Sequence, residues 1–302
     1  MAELMPELTT ELRIPFSKIT IHAHNATMTS EPLRIKLCTF NLLARPYTKF
    51  NQALHNNTAA PVETLDQTAA RYALNTRVLR TIAPDIALLQ EHDCGLHARD
   101  HLHATSSVCA YVDGRAEGCS VLGFGSAVDL RFVWTLDLGE GKTAAFALAA
   151  MRGAAGSLLA LVSAHLKGGP DTAIVKRKQI AAILAKIPAR MPCVLAGDMN
   201  ETNPMAVFGD LLTDAGFTHV APTGPTGLNS AMTTPLTIDH VFIREIHGAT
   251  MLPMMFAPGV PWTPGAAVGS DHVPVVVEMN WPAAPEDGGG GVATSGYSYY
   301  DL

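Results

Sequence analysis

The sequence predicts one α/β domain, a two-layer β-sandwich flanked by helices. Two observations carry that fold class. Short apolar runs with strand-like alternation follow one another closely, interrupted by segments whose apolar residues recur at helical spacing. No Pro/Gly-rich linker divides residues 34–280, so two sheets packed face to face with helices outside would bury the whole pattern. The expected boundaries are a polar lead-in over 1–30, the domain over 31–282, and a disordered Gly-rich tail over 283–302.

The elements follow in order. Ile35–Leu42 alternates like a strand, after one candidate strand near Leu12–Phe16. Asn51–Asp66 is rich in Asn and Thr and reads as a surface loop. Ala69–Ile82 has helical spacing and ends before Pro84, and Ile86–Gln90 is a short buried strand. Leu96–Ser107 is expected to be helical. Strands are expected at Cys119–Phe124, Arg131–Leu136, Ala144–Ala150 and Leu158–His165, with Gly-containing turns between them. Ala173–Lys186 is an amphipathic helix, Cys193–Ala196 a strand, and Met205–Ala215 a helix closed by Gly216. Ile238–Ile243 and Val273–Met279 are the last strands.

Composition limits the function. Of 302 residues, 48% are hydrophobic and 6% aromatic, so a large core is built from Ala, Leu, Val, Ile and Met. A net charge of −6 argues against a broad nucleic-acid surface, which needs many Lys and Arg to replace counterions, and leaves room for a narrow site. The five scattered cysteines read as buried free thiols of a reducing compartment, so an intracellular, cytoplasmic or nuclear, location is expected. Residues 1–20 have no apolar secretory core, and no stretch promises a membrane span; Ala144–Val162 comes closest, but Arg152 and the neighbouring glycines interrupt it.

Six short motifs carry the chemistry: Thr39–Leu43, Leu88–Glu91, Ser163–Leu166, Gly197–Asn200, Ile238–His240 and Ser270–His272. Each sets a carboxylate, amide or imidazole beside an apolar run, and strand ends are where such groups converge on a pocket. Asn41 and Asn200, the acids Glu91, Asp198, Asp239 and Asp271, and the imidazoles of His165 and His272 suit a hard divalent cation, with imidazoles left for proton and charge work. Asp198 and Asn200, two apart after a turn glycine, can reach one metal or phosphate; alone the segment reads equally as an Asx turn. Glu91 closes a buried run and needs a partner, a cation or a salt bridge. Asn41 could hold metal-bound water or brace Glu91. His165 and Lys167 together could stabilise a phosphoryl oxygen. Asp239 could orient His165 or act as base, and Asp271 could orient an imidazole or bind metal.

Together these motifs resemble the endonuclease/exonuclease/phosphatase superfamily over roughly Arg34 to Met279, with the greatest likeness to its deadenylase and nocturnin branch. The resemblance implies a Mg²⁺- or Mn²⁺-dependent phosphoesterase. Asn41, Glu91, Asp198, Asn200 and His272 would form the metal set. Asp198 and Asn200 would bind metal or orient water, His165 and His272 would contact the scissile phosphate, and Asp239 and Asp271 would support those imidazoles. Branch features are Arg71 ahead of Pro84–Ile86, Glu117–Ser120, and His165…Pro170…Lys176. Pro170 would flank a terminal adenine, Lys167 resembles a lysine that contacts a 2′-phosphate, and Arg71 joins the substrate-binding set. The aromatic residue expected shortly before Asp239 is missing from Met232–Leu236. The expected activity is 3′–5′ trimming of an RNA end. Two readings stand beside it: a phosphatase of a small nucleotide such as NADP(H), and a binding module without catalysis. Protein partners are not legible in the sequence.

Overall fold

A computed structural model describes residues 33–48, 63–93, 104, 106–111, 117–151, 158–229, 234–252 and 269–281. The chain begins with β1 (Leu33–Asn41), a 3₁₀ turn at Arg45–Tyr47, α1 (Leu65–Ile82) and β2 (Ile86–Asp93). There follow β3 (Ser106–Tyr111), β4 (Glu117–Gly123), β5 (Val128–Gly139), β6 (Lys142–Met151) and β7 (Leu158–His165). Next are α2 (Ala173–Leu184), β8 (Cys193–Asp198), α3 (Pro204–Asp214), β9 (Thr218–Val220), β10 (Gly227–Leu228) and β11 (Pro235–Leu236). The described chain ends with β12 (Asp239–Arg244), β13 (His247–Met251) and β14 (Val275–Trp281).

Two six-stranded mixed sheets form, in the orders β13-β14-β1-β2-β4-β3 and β5-β6-β7-β8-β12-β9, beside a small β10-β11 ribbon. Each large sheet contains one parallel pair, β1 with β2 and β7 with β8. A parallel pair requires a crossover, and α1 and α2 supply the two crossovers. Residues facing inward from both sheets, among them Leu37, Leu88, Ala147, Leu161, Val194, Val241 and Val277, form the central core. Small alanines on β6 meet larger side chains opposite, which keeps the interior close-packed. The outer face of the second sheet packs under α2 and α3 through Ile180, Ile183, Phe208 and Leu212. The outer face of the first sheet packs under α1 through Leu79 and Ile82.

Local chemistry accounts for the helix ends. Thr64 and Gln67 form a reciprocal capping box at the start of α1, so the helix begins earlier than its apolar spacing suggests. Asn203 caps α3 with Pro204 in its first turn, and Gly216 beyond its end adopts φ +80°.

Two expectations need correction. Ser106 and Ser107 start strand β3 rather than ending a helix, because their backbones pair with Gly123 and Leu122 of β4; residues 96–103 lie outside the described part. Cys38, Cys119 and Cys193 are buried and free, but Cys109 is disulfide-bonded, so the free-thiol reading fails there. The candidate strand near Leu12–Phe16, most of the Asn51–Asp66 segment and the C-terminal tail also lie outside the described residues. Among the described residues, no helix is long and apolar enough to cross a membrane.

Candidate active site

Both parallel pairs end at the same edge of the sandwich. Asn41 is the last residue of β1, His165 the last of β7 and Asp198 the last of β8. His165 lies opposite Asp198 in register, and Asp239, the first residue of β12, lies opposite Asp198 on its other side. The Asn41 side-chain amide donates to Asp198 Oδ2 at 3.0 Å and to Glu91 Oε1 at 3.2 Å. One amide thus ties the first sheet to the second. The backbone N–H of Ala44 donates to the other Glu91 oxygen at 2.7 Å.

Backbone irregularities aim these groups. The β2–β4 register shifts between Leu89 and His92, and Glu91 in that bulge has φ +52°, which turns its carboxylate off the strand's regular alternation. Gly197 has φ +149°, and a Cβ there would lie 1.9 Å from the carbonyl oxygen of Ala164, so β7 and β8 can approach only over a glycine. Asn200, with φ +48°, donates its own N–H to Asp198 Oδ1 and its amide to the Leu166 carbonyl. It therefore fixes one rim of the site to the other.

On the opposite side, His272 Nδ1 donates to Asp239 Oδ2 at 2.8 Å, which leaves Nε2 facing Asp198 Oδ2 at 3.8 Å. The structure thus gives Asp239 to His272 and not to His165. The hydroxyl of Thr226 accepts from the backbone N–H groups of Ile238 and Asp239, and Gly227 forms a bridge to His272, so the chain entering β10 braces the pair. Ser270 Oγ donates to the Asn41 carbonyl, and the His272 N–H donates to Ser270 Oγ. The Asp271 carboxylate stands 3.5 Å from the Ser270 hydroxyl.

Arg71 is held by two backbone carbonyls and one carboxylate. It is 6% exposed, its guanidinium donates to the carbonyls of Leu42 and Gly269, and it pairs with Glu63 at 3.0 Å. Asn75, one helical turn on, also donates to the Leu42 carbonyl. These two residues clamp the strand end that carries Asn41 against the segment that carries Ser270 and His272. Pro170 is exposed on the rim, and Lys167 is half-buried and paired with Glu140 at 3.4 Å. The sequence reading missed Lys142. Its Nζ is 2.6 Å from His165 Nε2, a contact made by a hairpin register that no local motif announces.

Electrostatics follow from burying several acids together. Burial pushes the Glu91 carboxyl up to about 7, opposed by Lys142 and by the hydrogen bonds from Ala44 and Asn41. Burial likewise raises Asp198, with His272 opposing and Asp239 reinforcing. Asp271 is raised for the same first reason. Burial alone would lower His272, but the surrounding carboxylates, Asp239 first, outweigh it and hold the imidazole well above its ordinary value.

This donor set fits a hard divalent cation. Buried carboxylates whose proton affinity is raised lack positive charge, and Asp239 Oδ1 is a buried oxygen with no hydrogen-bond partner. Ligand atoms of Asp198, Asp239 and His272 all lie within 4.8 Å of one another. Asp239 gives one oxygen to His272 and leaves Oδ1 for a cation, and Glu91 and Asp198, joined by Asn41, add further carboxylate oxygens beside it.

A model of the Endonuclease/Exonuclease/phosphatase family matches residues 38–272. No curated protein matches the sequence. Among solved structures, ANGEL2, a 2′,3′-cyclic phosphatase, superposes with a TM-score of 0.65 at 15% identity, over 85% of this chain and 99% of its own. The human Nocturnin catalytic domain with bound sulfate gives 0.60 at 15% identity, over 82% of this chain and 96% of its own. D. rerio TDP2 with a single-strand DNA product gives 0.59 at 16% identity, over 82% and 99%. At these identities the likeness is one of fold.

Proposed function

Since the chain belongs to the endonuclease/exonuclease/phosphatase family of phosphoester-hydrolysing enzymes, we propose that it is a Mg²⁺-dependent phosphodiesterase that trims RNA from the 3′ end. The observation that carries this reading is the convergence of Asn41, Glu91, His165, Asp198, Asp239 and His272 at one edge of the sandwich. A divalent cation held by Glu91 and Asp198, beside Asn41, would stabilise charge developing on the phosphoryl and leaving oxygens.

The chain's own residues do the rest. Asn41 holds the two metal-facing carboxylates at fixed separation, which removes their reorganisation from the reaction. Asp239 fixes His272 in one orientation with Nε2 toward the site, where its charged ring donates to a non-bridging phosphoryl oxygen. Asp198 orients the attacking water and accepts its proton, and the turn at Asn200 keeps that carboxylate in place. Removing one such donor costs about 10²–10³ in rate.

A second reading, a phosphatase of a small nucleotide such as NADP(H), is favoured by the net charge of −6 and by the missing aromatic residue before Asp239. Base stacking contributes about 1–3 kcal/mol per base, and its loss falls on an RNA substrate.

The test is Mg²⁺-dependent turnover of a 3′-oligoadenylate RNA and of NADPH side by side, with His272→Ala as the blank. Stepwise shortening of the RNA is the expected result. Phosphate release from NADPH alone assigns the small-nucleotide activity. Turnover of neither overturns both substrates and favours the binding-module reading.

A further inference from the structure

We propose that Lys176 on α2 is a positioning residue that holds the turn at Asn200 and thereby aims the Asp198 carboxylate. This role rests on the phosphoesterase reading and adds to it a residue that acts from outside the acidic cluster.

Lys176 sits in the first turn of the helix that crosses over between β7 and β8. Its side chain is only 5% exposed, and a buried ammonium is costly unless its donors find acceptors. Nζ donates to the carbonyl of Asn200 and to Glu201 Oε2, the latter at 3.0 Å. Glu201 answers the charge, and the carbonyl contact holds the backbone. Asn200 has φ +48°, a left-handed conformation that asparagine tolerates better than most residues. On one side its N–H is given to Asp198 Oδ1 at 2.9 Å, and on the other its carbonyl is taken by Lys176. The two peptide units that flank Asn200 are each tied to a charged side chain, one belonging to the site and one to the helix.

Neighbouring contacts continue the grip. The Asn200 side-chain amide donates to the Leu166 carbonyl at 3.0 Å, and a Cβ at Gly168 would lie 2.8 Å from Asn200 Oδ1. His240 Nε2 donates to the Glu201 carbonyl at 2.7 Å, so the peptide after Glu201 is fixed as well. Three residues after Lys176, buried Gln179 accepts from the Lys167 N–H at 3.0 Å. The inner face of α2 thus reaches the segments that follow β7 and β8 with one polar group each. Of the two, Lys176 holds the residue that donates to Asp198. Without it the peptide between Asn200 and Glu201 can rotate, and the Asn200 N–H leaves Asp198 Oδ1. Asp198 would then keep the Asn41 amide on Oδ2 and lose its donor on Oδ1.

The bland rival is that Lys176 serves only Glu201, as an ion pair fastening the helix. The two are separated with the full chain, Mg²⁺ and bis(p-nitrophenyl) phosphate. Lys176→Met removes both contacts at similar volume, whereas Glu201→Gln removes the counter-charge and leaves the Asn200 carbonyl in place. Lys176→Met is expected to lower kcat by about 10–100-fold, with KM held within about twofold. Glu201→Gln should lower the thermal midpoint, because a buried ammonium loses its partner, and keep kcat within about threefold of wild type. Hydrogen exchange of the Asn200 amide, followed by NMR, reports its bond to Asp198 directly. It should quicken about tenfold or more in Lys176→Met and not in Glu201→Gln, while the Val194 and Leu195 amides inside β8 stay unchanged.

Equal losses of kcat in the two variants, or a Lys176→Met chain as active as wild type, overturn the proposal. Unchanged exchange at Asn200 overturns it too. If Lys176→Met does not fold, Lys176→Gln, with a shorter neutral donor, is held to the same outcomes. If wild type hydrolyses no diester, the phosphoesterase reading loses its support, and the exchange of the Asn200 amide alone decides whether Lys176 holds the turn.

Discussion

Asn41 and Asp198 belong to different sheets and are 157 residues apart in the chain, yet the Asn41 amide donates to the Asp198 carboxylate at 3.0 Å. The same amide nitrogen serves Glu91. Replacing Asn41 with Ala leaves two buried carboxylates short of a donor, at a cost of about 2 kcal/mol. The thermal midpoint should fall by about 4–8 °C, and hydrolysis by about 100-fold. Activity within threefold of wild type would show that the inter-sheet contact does not organise the site.

Cation binding should depend on pH through Glu91. Its carboxyl is raised from 4.5 to about 7, so between those values the metal-free folded chain holds a proton that the unfolded chain lacks. Metal-free stability therefore falls as pH rises through that window. A cation needs the carboxylate, so the stabilisation by Mg²⁺ should grow over the same window and accompany proton release. Melting curves with and without Mg²⁺ at pH 5.5 and 8 check this, and equal shifts at both would contradict it.

Gly197→Ala should damage stability and activity together. The new methyl would meet the Ala164 carbonyl oxygen at 1.9 Å, so β8 must move away from β7. Overpacking of this kind costs about 3 kcal/mol or more, and Asp198 moves with the strand. A crystal structure of the variant with Asp198 unshifted would refute the account.

His219 should govern part of the acid sensitivity. Its ring stacks on Phe242 with centroids 4.9 Å apart, and its Nε2 is 3.1 Å from His240 Nδ1. His240 Nε2 in turn donates to the Glu201 carbonyl, so the neutral pair forms a directed chain. Burial, then the neighbouring His240, lowers the His219 pKa from 6.5 to about 4. The unfolded chain takes up this proton near 6.5 while the folded chain resists until about 4, so stability is lost as pH falls through that window. His219→Gln should flatten the fall in thermal midpoint between pH 6.5 and 4. An unchanged slope would locate the sensitivity elsewhere.

The two-sheet architecture was legible because apolar alternation records burial along each strand, and Leu158–His165 matches β7 residue for residue. The residues at the ends of apolar runs were legible for the same reason: Asn41, His165 and Asp198 are where a buried strand meets the edge. What the sequence could not express was pairing. Assigning Asp239 to His272 rather than His165 requires the positions of β12 and the Ser270 segment. Arg71 resembles a substrate residue by motif, but α1 turns it toward two backbone carbonyls. Lys142 has no motif, and its place beside His165 depends on the reversal between β5 and β6. β3 and β13 were missed because edge strands bury less apolar surface, and β13 has a register shift that breaks alternation.

The strand orders carry a consequence for dissecting the molecule. A cut between Met151 and Leu158 would place Asn41, Glu91 and Lys142 on one polypeptide and His165, Asp198, Asp239 and His272 on the other. Neither piece owns a whole sheet. The first supplies β5 and β6 to the sheet of the second, and the second supplies β13 and β14 to the sheet of the first. The halves clasp each other, so each alone presents raw hydrogen-bonding edges that only its complement fits. Catalysis recovered on mixing two such inactive fragments would report their encounter, making this fold a split reporter with its switch at the clasp.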